Sequence, residues 1–188
     1  MRIYAQGFVK FMEESFGEIT LRSVPMQTQI TDLRIVSKAE AKLIRTAIGC
    51  IGWLSVTCRI DLALTHSRIS QHMAQPNYGA MKAVIFTAGY IKNTIDLCIF
   101  APKSGGNEFT FYTDSDHAGN REPQNKCRSQ LGWVASINGA PITWKSTAIS
   151  FCQPRDNLEQ QLPMLSVGEA EVYAASNAIV EFMHLSYI

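Results

Sequence analysis

Nowhere in these 188 residues does an apolar run reach the length of about 18 that a membrane-crossing helix needs. The opening Met1-Arg2-Ile3-Tyr4-Ala5-Gln6 also lacks the apolar stretch and small-residue cleavage site of a signal peptide. No membrane partner is expected, and the expected setting is cytoplasmic or nuclear. Cysteine is scarce: Cys50, Cys58, Cys98, Cys127 and Cys152 are odd in number and widely spaced, with no Cys-x-x-Cys pair and no histidine at ligand distance in sequence. That pattern argues against a disulfide framework and against a zinc site, so reduced packing cysteines are expected. Internal repeats are absent too. What is present is 46% hydrophobic and 18% charged residues, enough apolar material for one core or two small ones, which excludes a disordered chain.

The net charge of +1 conceals an asymmetry. Residues 1–105 carry 12 Lys and Arg against 7 Asp and Glu, whereas residues 106–188 carry 5 against 9. A basic element that touches a phosphate backbone, beside an acidic one that holds cations, would produce this split, and so would ordinary scatter on a solvated surface.

Helical patterning dominates the first half. Phe8, Phe11, Met12 and Phe16 predict a helix over 6–16, with Gly17 at its C-terminal cap. Residues 17–36 show no sustained period and predict a loop with one extended piece. Ser37-Lys38-Ala39-Glu40 has the form of a capping box, ahead of Leu43, Ile44, Ala47, Ile48, Ile51 and Leu54. Asp61 is placed to cap a third helix through about Met73, and Pro76-Asn77 precedes a fourth over 78–92. β-rich runs follow at 96–100 and 108–113, on either side of the turn-forming Lys103-Ser104-Gly105-Gly106-Asn107, which sets a domain boundary near residue 105. Strands at 131–137 and 142–145 are joined by Asn138-Gly139, the favoured pair for a type I′ hairpin. Phe151 to Pro163 predicts a long exposed loop. A last helix begins at Ser166, where Ser166-Val167-Gly168-Glu169 repeats the capping-box form. The fold class is α/β, α+β overall: a helical segment, then a three-stranded antiparallel meander with a packed helix.

Candidate chemistry lies in the second half. The run Phe109 to Thr113 predicts a strand covered on both faces, ending in Asp114 and Asp116 and then Gly119. A carboxylate at the end of a buried strand is costly unless a cation or donor awaits it, and hard oxygen ligands suit Mg²⁺ or Mn²⁺. An Asx turn is the alternative role for Asp114. In the last helix Glu171, Ala174, Ala175, Ala178, Phe182 and Leu185 share one face, which carries Glu171 toward the sheet at the positive end of the helix dipole. Placement for the dipole alone is the alternative for Glu171. Glu169 falls where the capping box needs its carboxylate, a structural role.

Tyr112 to Gly119 resembles the first-strand motif of copia-type retrotransposon ribonuclease H, with His117 in place of the usual Trp. Arg128-Ser129-Gln130-Leu131-Gly132-Trp133 and Pro141-Ile142-Thr143-Trp144-Lys145-Ser146 resemble that family's next two strands. Ser166 with Gly168 to Ala175 resembles its Glu-Ala-Glu-Tyr helix. The resemblance implies a ribonuclease H-like domain over 106–188 that hydrolyses RNA in RNA–DNA hybrids. Its two divalent ions would activate water and stabilise the leaving oxygen, and contact with the 2′-hydroxyl would select RNA. By that resemblance Asp114 and Glu171 are the catalytic metal ligands, and Asp116 is an accessory one. The family's third ligand, an Asp on a strand after the Glu171 helix, would lie past Ile188. The domain is therefore expected to be incomplete at its C-terminus, to hold Mg²⁺ or Mn²⁺ poorly, and to have little or no nuclease activity as this chain.

The first half resembles the same polyprotein upstream. Ile48 to Leu54 and Cys58 to Asp61 are similar to segments that follow the copia reverse transcriptase palm, with Ile60 where Pro is usual. Tyr90-Ile91-Lys92-Asn93-Thr94 is similar to the end of the next helix, although Ile85, Phe86 and Gly89 stand where the family often has Arg or Lys. No paired-aspartate polymerase motif occurs before residue 95, so 1–105 is at most a thumb- or connection-like segment. Arg59, Lys82 and Lys92 are its candidate nucleic-acid contacts. The implied partners are an RNA–DNA hybrid or other nucleic acid and the remainder of the Pol polyprotein. A non-catalytic nucleic-acid-binding protein built on the same scaffold is the competing expectation.

Overall fold

A computed structural model describes residues 1–26, 29–103, 106, 108–120, 128–148 and 167–185. The chain divides into two compact units, Met1–Ile99 and Phe100–Ile188.

The first unit is helical. Helix α1 (Arg2–Phe16) begins a turn earlier than its apolar pattern and ends at Gly17, whose amide still donates to the Glu13 carbonyl while its φ of 84° turns the chain out of the helix. Helix α2 (Lys38–Thr57) starts on a complete capping box: the Ser37 amide donates to Glu40 Oε2 at 2.8 Å, and the Glu40 amide donates to Ser37 Oγ at 3.3 Å. A 3₁₀ turn, Ile60–Leu62, leads into the short α3 (Ala63–Ser70). The expected cap at Asp61 is not made. Its carboxylate is taken by Arg59, with Nη2 at 2.8 Å from Oδ2, and so cannot face the helix amides. Helix α4 (Tyr78–Asn93) is capped by Asn77, whose Oδ1 accepts from the Ala80 amide at 2.8 Å.

Phe8, Met12, Ile44, Ile48, Ile51, Leu62, Val84 and Ile91 fill the core between these helices. Each such side chain contributes about 1.5–3 kcal/mol through burial. Half-buried Cys50 and Cys58 pack against this core as expected. Cys98 is exposed, and Cys127 and Cys152 lie outside the described residues.

Residues 17–26 and 29–36 form a strap that α4 ties down at several points. Lys92 Nζ donates to the Ile19 carbonyl, Asn93 Nδ2 to Arg22, Thr87 Oγ1 to Pro25, the Gly79 amide to Asp32 and the Tyr78 amide to Arg34. Each bond involves the strap's backbone, so apolar periodicity cannot reveal it. Ile19, Ile30 and Val36 are buried beneath the strap.

His66 lies against α2 where Gly52 has no Cβ: an atom built there would stand 2.6 Å from Nε2. Burial lowers the His66 pKa from its ordinary value. A depressed histidine contributes stability above the unfolded-state pKa of about 6.5, and that contribution is lost as pH falls. The urea midpoint of the first unit is therefore expected to drop between pH 7 and pH 5, and His66→Gln to flatten that drop. An identical pH slope in the variant would refute the assignment.

In the second unit the sheet order is β1-β2-β3, an antiparallel meander of β1 (Phe109–Asn120), β2 (Arg128–Ile137) and β3 (Ala140–Ala148). Asn138 and Gly139, at φ 52° and 79°, make the expected primed turn between β2 and β3. No strand forms at 96–100: Phe100 is 85% exposed and Leu97 is half exposed, so that β-rich run has nothing to pack on. Helix α5 (Val167–Leu185) lies across β1 and β2, with Ala174 and Ala178 buried against Leu131, Trp133 and Phe111. Small residues allow this close approach. Among the described residues the packing is one-sided, which corrects the expectation of a strand covered on both faces: Tyr112, on the opposite pleat from Phe111, is 65% exposed. The predicted cap Ser166 and the loop at 151–163 lie outside the described residues.

Candidate functional site

In the second unit β1 and α5 border two pockets that share Thr113 and Ala175. The apolar one is a cavity of about 370 Å³ lined by Phe109, Phe111, Thr113, Ala175, Ala178 and Ile179. The acidic one, of similar volume, is lined by Thr113, Asp114, Glu171, Val172 and Ala175. Asp114 and Glu171, 57 positions apart in sequence, thus both line one cleft, with Asp114 on the pleat opposite Phe111. The strand brings the first and the alanine-faced helix brings the second.

The cleft differs from the expected environment. Asp114 and Glu171 are both exposed, so neither carries a burial penalty that a cation must relieve. Among the described residues neither carboxylate has a hydrogen-bond or ion-pair partner, which leaves the Asx turn without its bond there. Asp116 shares the Asp114 pleat, is exposed and is not among the residues lining the cleft. Two hard oxygen donors at the mouth of an open cleft are the right chemistry for Mg²⁺ or Mn²⁺. Among the described residues no three His, Cys, Asp or Glu side chains converge to hold a metal ion.

The three basic candidates of the first unit are not brought together as a phosphate-binding set. Arg59 is 3% exposed. Its Nε and Nη2 bind the Asp61 carboxylate, and Nη1 and Nη2 donate to the Thr94 carbonyl and Oγ1 at 3.1 and 2.7 Å. The guanidinium also lies 5.5 Å from the Tyr90 ring centroid, a cation–π contact. This is a tether between the α2–α3 connection and the end of α4. Lys92 is partly covered and binds Glu13 at 2.7 Å, joining α4 to α1. Lys82 is well exposed and holds Asp32 at 3.2 Å, a carboxylate that Arg34 also grips. Hydrogen bonds from Arg34 and Lys82 keep the Asp32 carboxyl well below the usual carboxylate range. Glu13 and Asp32 were not legible as partners from sequence because they sit 79 and 50 positions from their lysines.

Two curated proteins resemble the chain. It is 28% identical over 144 residues to "Secreted RxLR effector protein 161" of Plasmopara viticola, covering 75% of this chain and 89% of that protein. It is 26% identical over 142 residues to the "Retrovirus-related Pol polyprotein from transposon TNT 1-94" of Nicotiana tabacum, covering 74% of this chain. The chain is thus weakly similar to a fragment of a transposon Pol polyprotein. That fragment is 9% of the polyprotein's length. No protein-family model matches, and no solved structure does. Among the described residues no helix is long and apolar enough to cross a membrane.

Proposed function

We propose that this chain is a copia-type Pol segment whose second unit descends from a ribonuclease H, and that it has little or no nuclease activity by itself. The observation that carries this reading is that Asp114 and Glu171 both line one cleft. Strand and helix supply one carboxylate each, the pairing a metal-dependent hydrolysis of RNA in RNA–DNA hybrids needs. Asp114 and Glu171 would hold Mg²⁺ or Mn²⁺, with Asp116 as an outer contributor. Bound there, the ion would supply charge for activating water and for stabilising the leaving oxygen. Two ligands fix neither the ion's position nor its charge balance, which is why activity is expected to be lacking. On this reading the chain's partners are an RNA–DNA hybrid and the remainder of the Pol polyprotein, in the cytoplasm or nucleus.

The test is cleavage of a labelled hybrid by the purified chain in Mg²⁺ and in Mn²⁺, alongside Mn²⁺ binding followed by paramagnetic line broadening. Weak broadening at Asp114 and Glu171 that disappears in Glu171→Gln, with no cleavage, is the expected result. Cleavage that Asp114→Asn abolishes would refute inactivity. Broadening indifferent to both carboxylates would remove the metal-site ancestry.

A second reading, a non-catalytic nucleic-acid-binding protein reusing the scaffold, draws on a separate observation. The similar region makes up nearly the whole of the Plasmopara viticola effector, so such a scaffold occurs without the rest of a polyprotein. Hybrid or duplex affinity that survives Asp114→Asn would favour it.

A further inference from the structure

One face of α2 has features that the packing of the first unit does not require. Lys38, Lys42, Arg45, Gly49 and Trp53 follow one another at spacings of four and three, so they form a single stripe about 22 Å long. All five are exposed. Several other cations in this unit are paired: Arg59, Lys82, Lys92, Lys10 and Arg2 each hold a carboxylate. On the stripe, the described residues give Lys38 and Lys42 no carboxylate. Arg45 donates to the carbonyls of Met73 and Ala74 at 2.9 and 3.1 Å, which fixes its guanidinium on the surface with its charge uncompensated. The nearby Glu40 carboxylate is turned back onto Ser37.

Gly49 and Trp53 sharpen the pattern. A glycine inside a helix costs about 1 kcal/mol relative to alanine. At Gly52, Gly79 and Gly89 a Cβ would collide with neighbouring atoms, which explains those glycines, but a Cβ on Gly49, as on Gly7 in α1, would meet nothing within 4 Å. Trp53, one turn further along, exposes 51% of its surface. Uncompensated cations, a gap that admits close approach and an open indole in line form the arrangement by which proteins hold a single strand. Cations track the backbone, and an aromatic face accepts an unpaired base.

We propose that this face of α2 binds single-stranded nucleic acid, with phosphates on Lys38, Lys42 and Arg45 and a base stacked on Trp53. The proposal is independent of the Asp114–Glu171 cleft and stands if that cleft binds nothing. The test is fluorescence anisotropy of a labelled oligo(dT) strand with the full chain over a salt series. The double variant Lys38→Gln/Lys42→Gln is expected to reduce the slope of log affinity against log salt by about 1.4, at about 0.7 per lost phosphate contact. Trp53→Ala should weaken binding by about fivefold to a hundredfold, and Trp53→Phe should retain most of it. Gly49→Gln should raise the thermal midpoint yet weaken binding, a combination that a purely structural role for the face would not produce. Lys10→Gln, off the stripe, should leave affinity unchanged. Absence of binding at low salt, affinity indifferent to these variants, or tighter binding of a duplex through the same residues would overturn the proposal.

Discussion

Replacing Arg59 by alanine is expected to lower the unfolding free energy of the helical unit by about 3 kcal/mol, measured by urea denaturation of the full chain. Breaking a buried ion pair from one side costs about 3–5 kcal/mol because the remaining charge is left uncompensated. Asp61 retains 22% side-chain exposure, so water relieves part of that penalty and the lower end applies. The variant also loses both bonds to Thr94, and with them the closure between the start of α3 and the end of α4. Arg59→Lys should recover little, since an ammonium cannot reproduce the planar fork that grips Asp61 and Thr94 together. In a double-mutant cycle with Asp61→Ala the two losses should be strongly non-additive, since they remove one interaction. A loss below about 1 kcal/mol would mean that the guanidinium spends its time in solvent, where it could meet a phosphate.

Arg59 also shows where sequence stops being informative. Its placement after a helix and before an aspartate reads equally as a phosphate contact or a structural tether, and the residue that decides is Thr94, 35 positions on. Local partners were legible in several places, though not at Asp61, whose carboxylate Arg59 takes from two positions away. The Ser37–Glu40 capping box and the Asn138-Gly139 turn each depend on residues within four positions, and both form. The meander followed from the β-rich runs plus that turn. Asp114 and Glu171 were paired through the small-residue face of α5, because alanines at helical spacing announce close packing on a sheet. Their exposure was not legible. It depends on what covers the outer pleat of β1, and the composition of the strand alone implied cover on both sides. The strap escaped for a different reason, since its bonds to α4 use the strap's backbone and leave no trace in side-chain pattern.

That strap explains a departure that sequence comparison cannot. Gly89 stands where a basic residue would be a plausible phosphate contact, and its absence reads as a lost contact. In the structure a Cβ at 89 would lie 2.2 Å from the Thr20 carbonyl oxygen and 3.0 Å from Arg22 Cγ, while the Arg22 amide donates to the Gly89 carbonyl. The glycine is the gap through which the strap's backbone meets the helix. Gly89→Lys is therefore expected to displace residues 19–25 from α4. It would weaken the bonds to Ile19, Arg22 and Pro25 and uncover Ile19, which is 3% exposed. Overpacking of this kind costs about 1–3 kcal/mol, and the loss of a buried isoleucine adds about 1.5–3 kcal/mol. The roughly 1 kcal/mol of helix propensity gained on removing a glycine offsets little of this. A net loss of about 3 kcal/mol follows, with faster tryptic cleavage after Arg22 and Arg34 on the freed strap. Gly89→Ala should show the same cleavage to a smaller degree, because the clash begins at Cβ. An unchanged urea midpoint and an unchanged digestion rate in Gly89→Lys would mean that the strap is not seated on α4. Position 89 would then again be available to a nucleic-acid backbone.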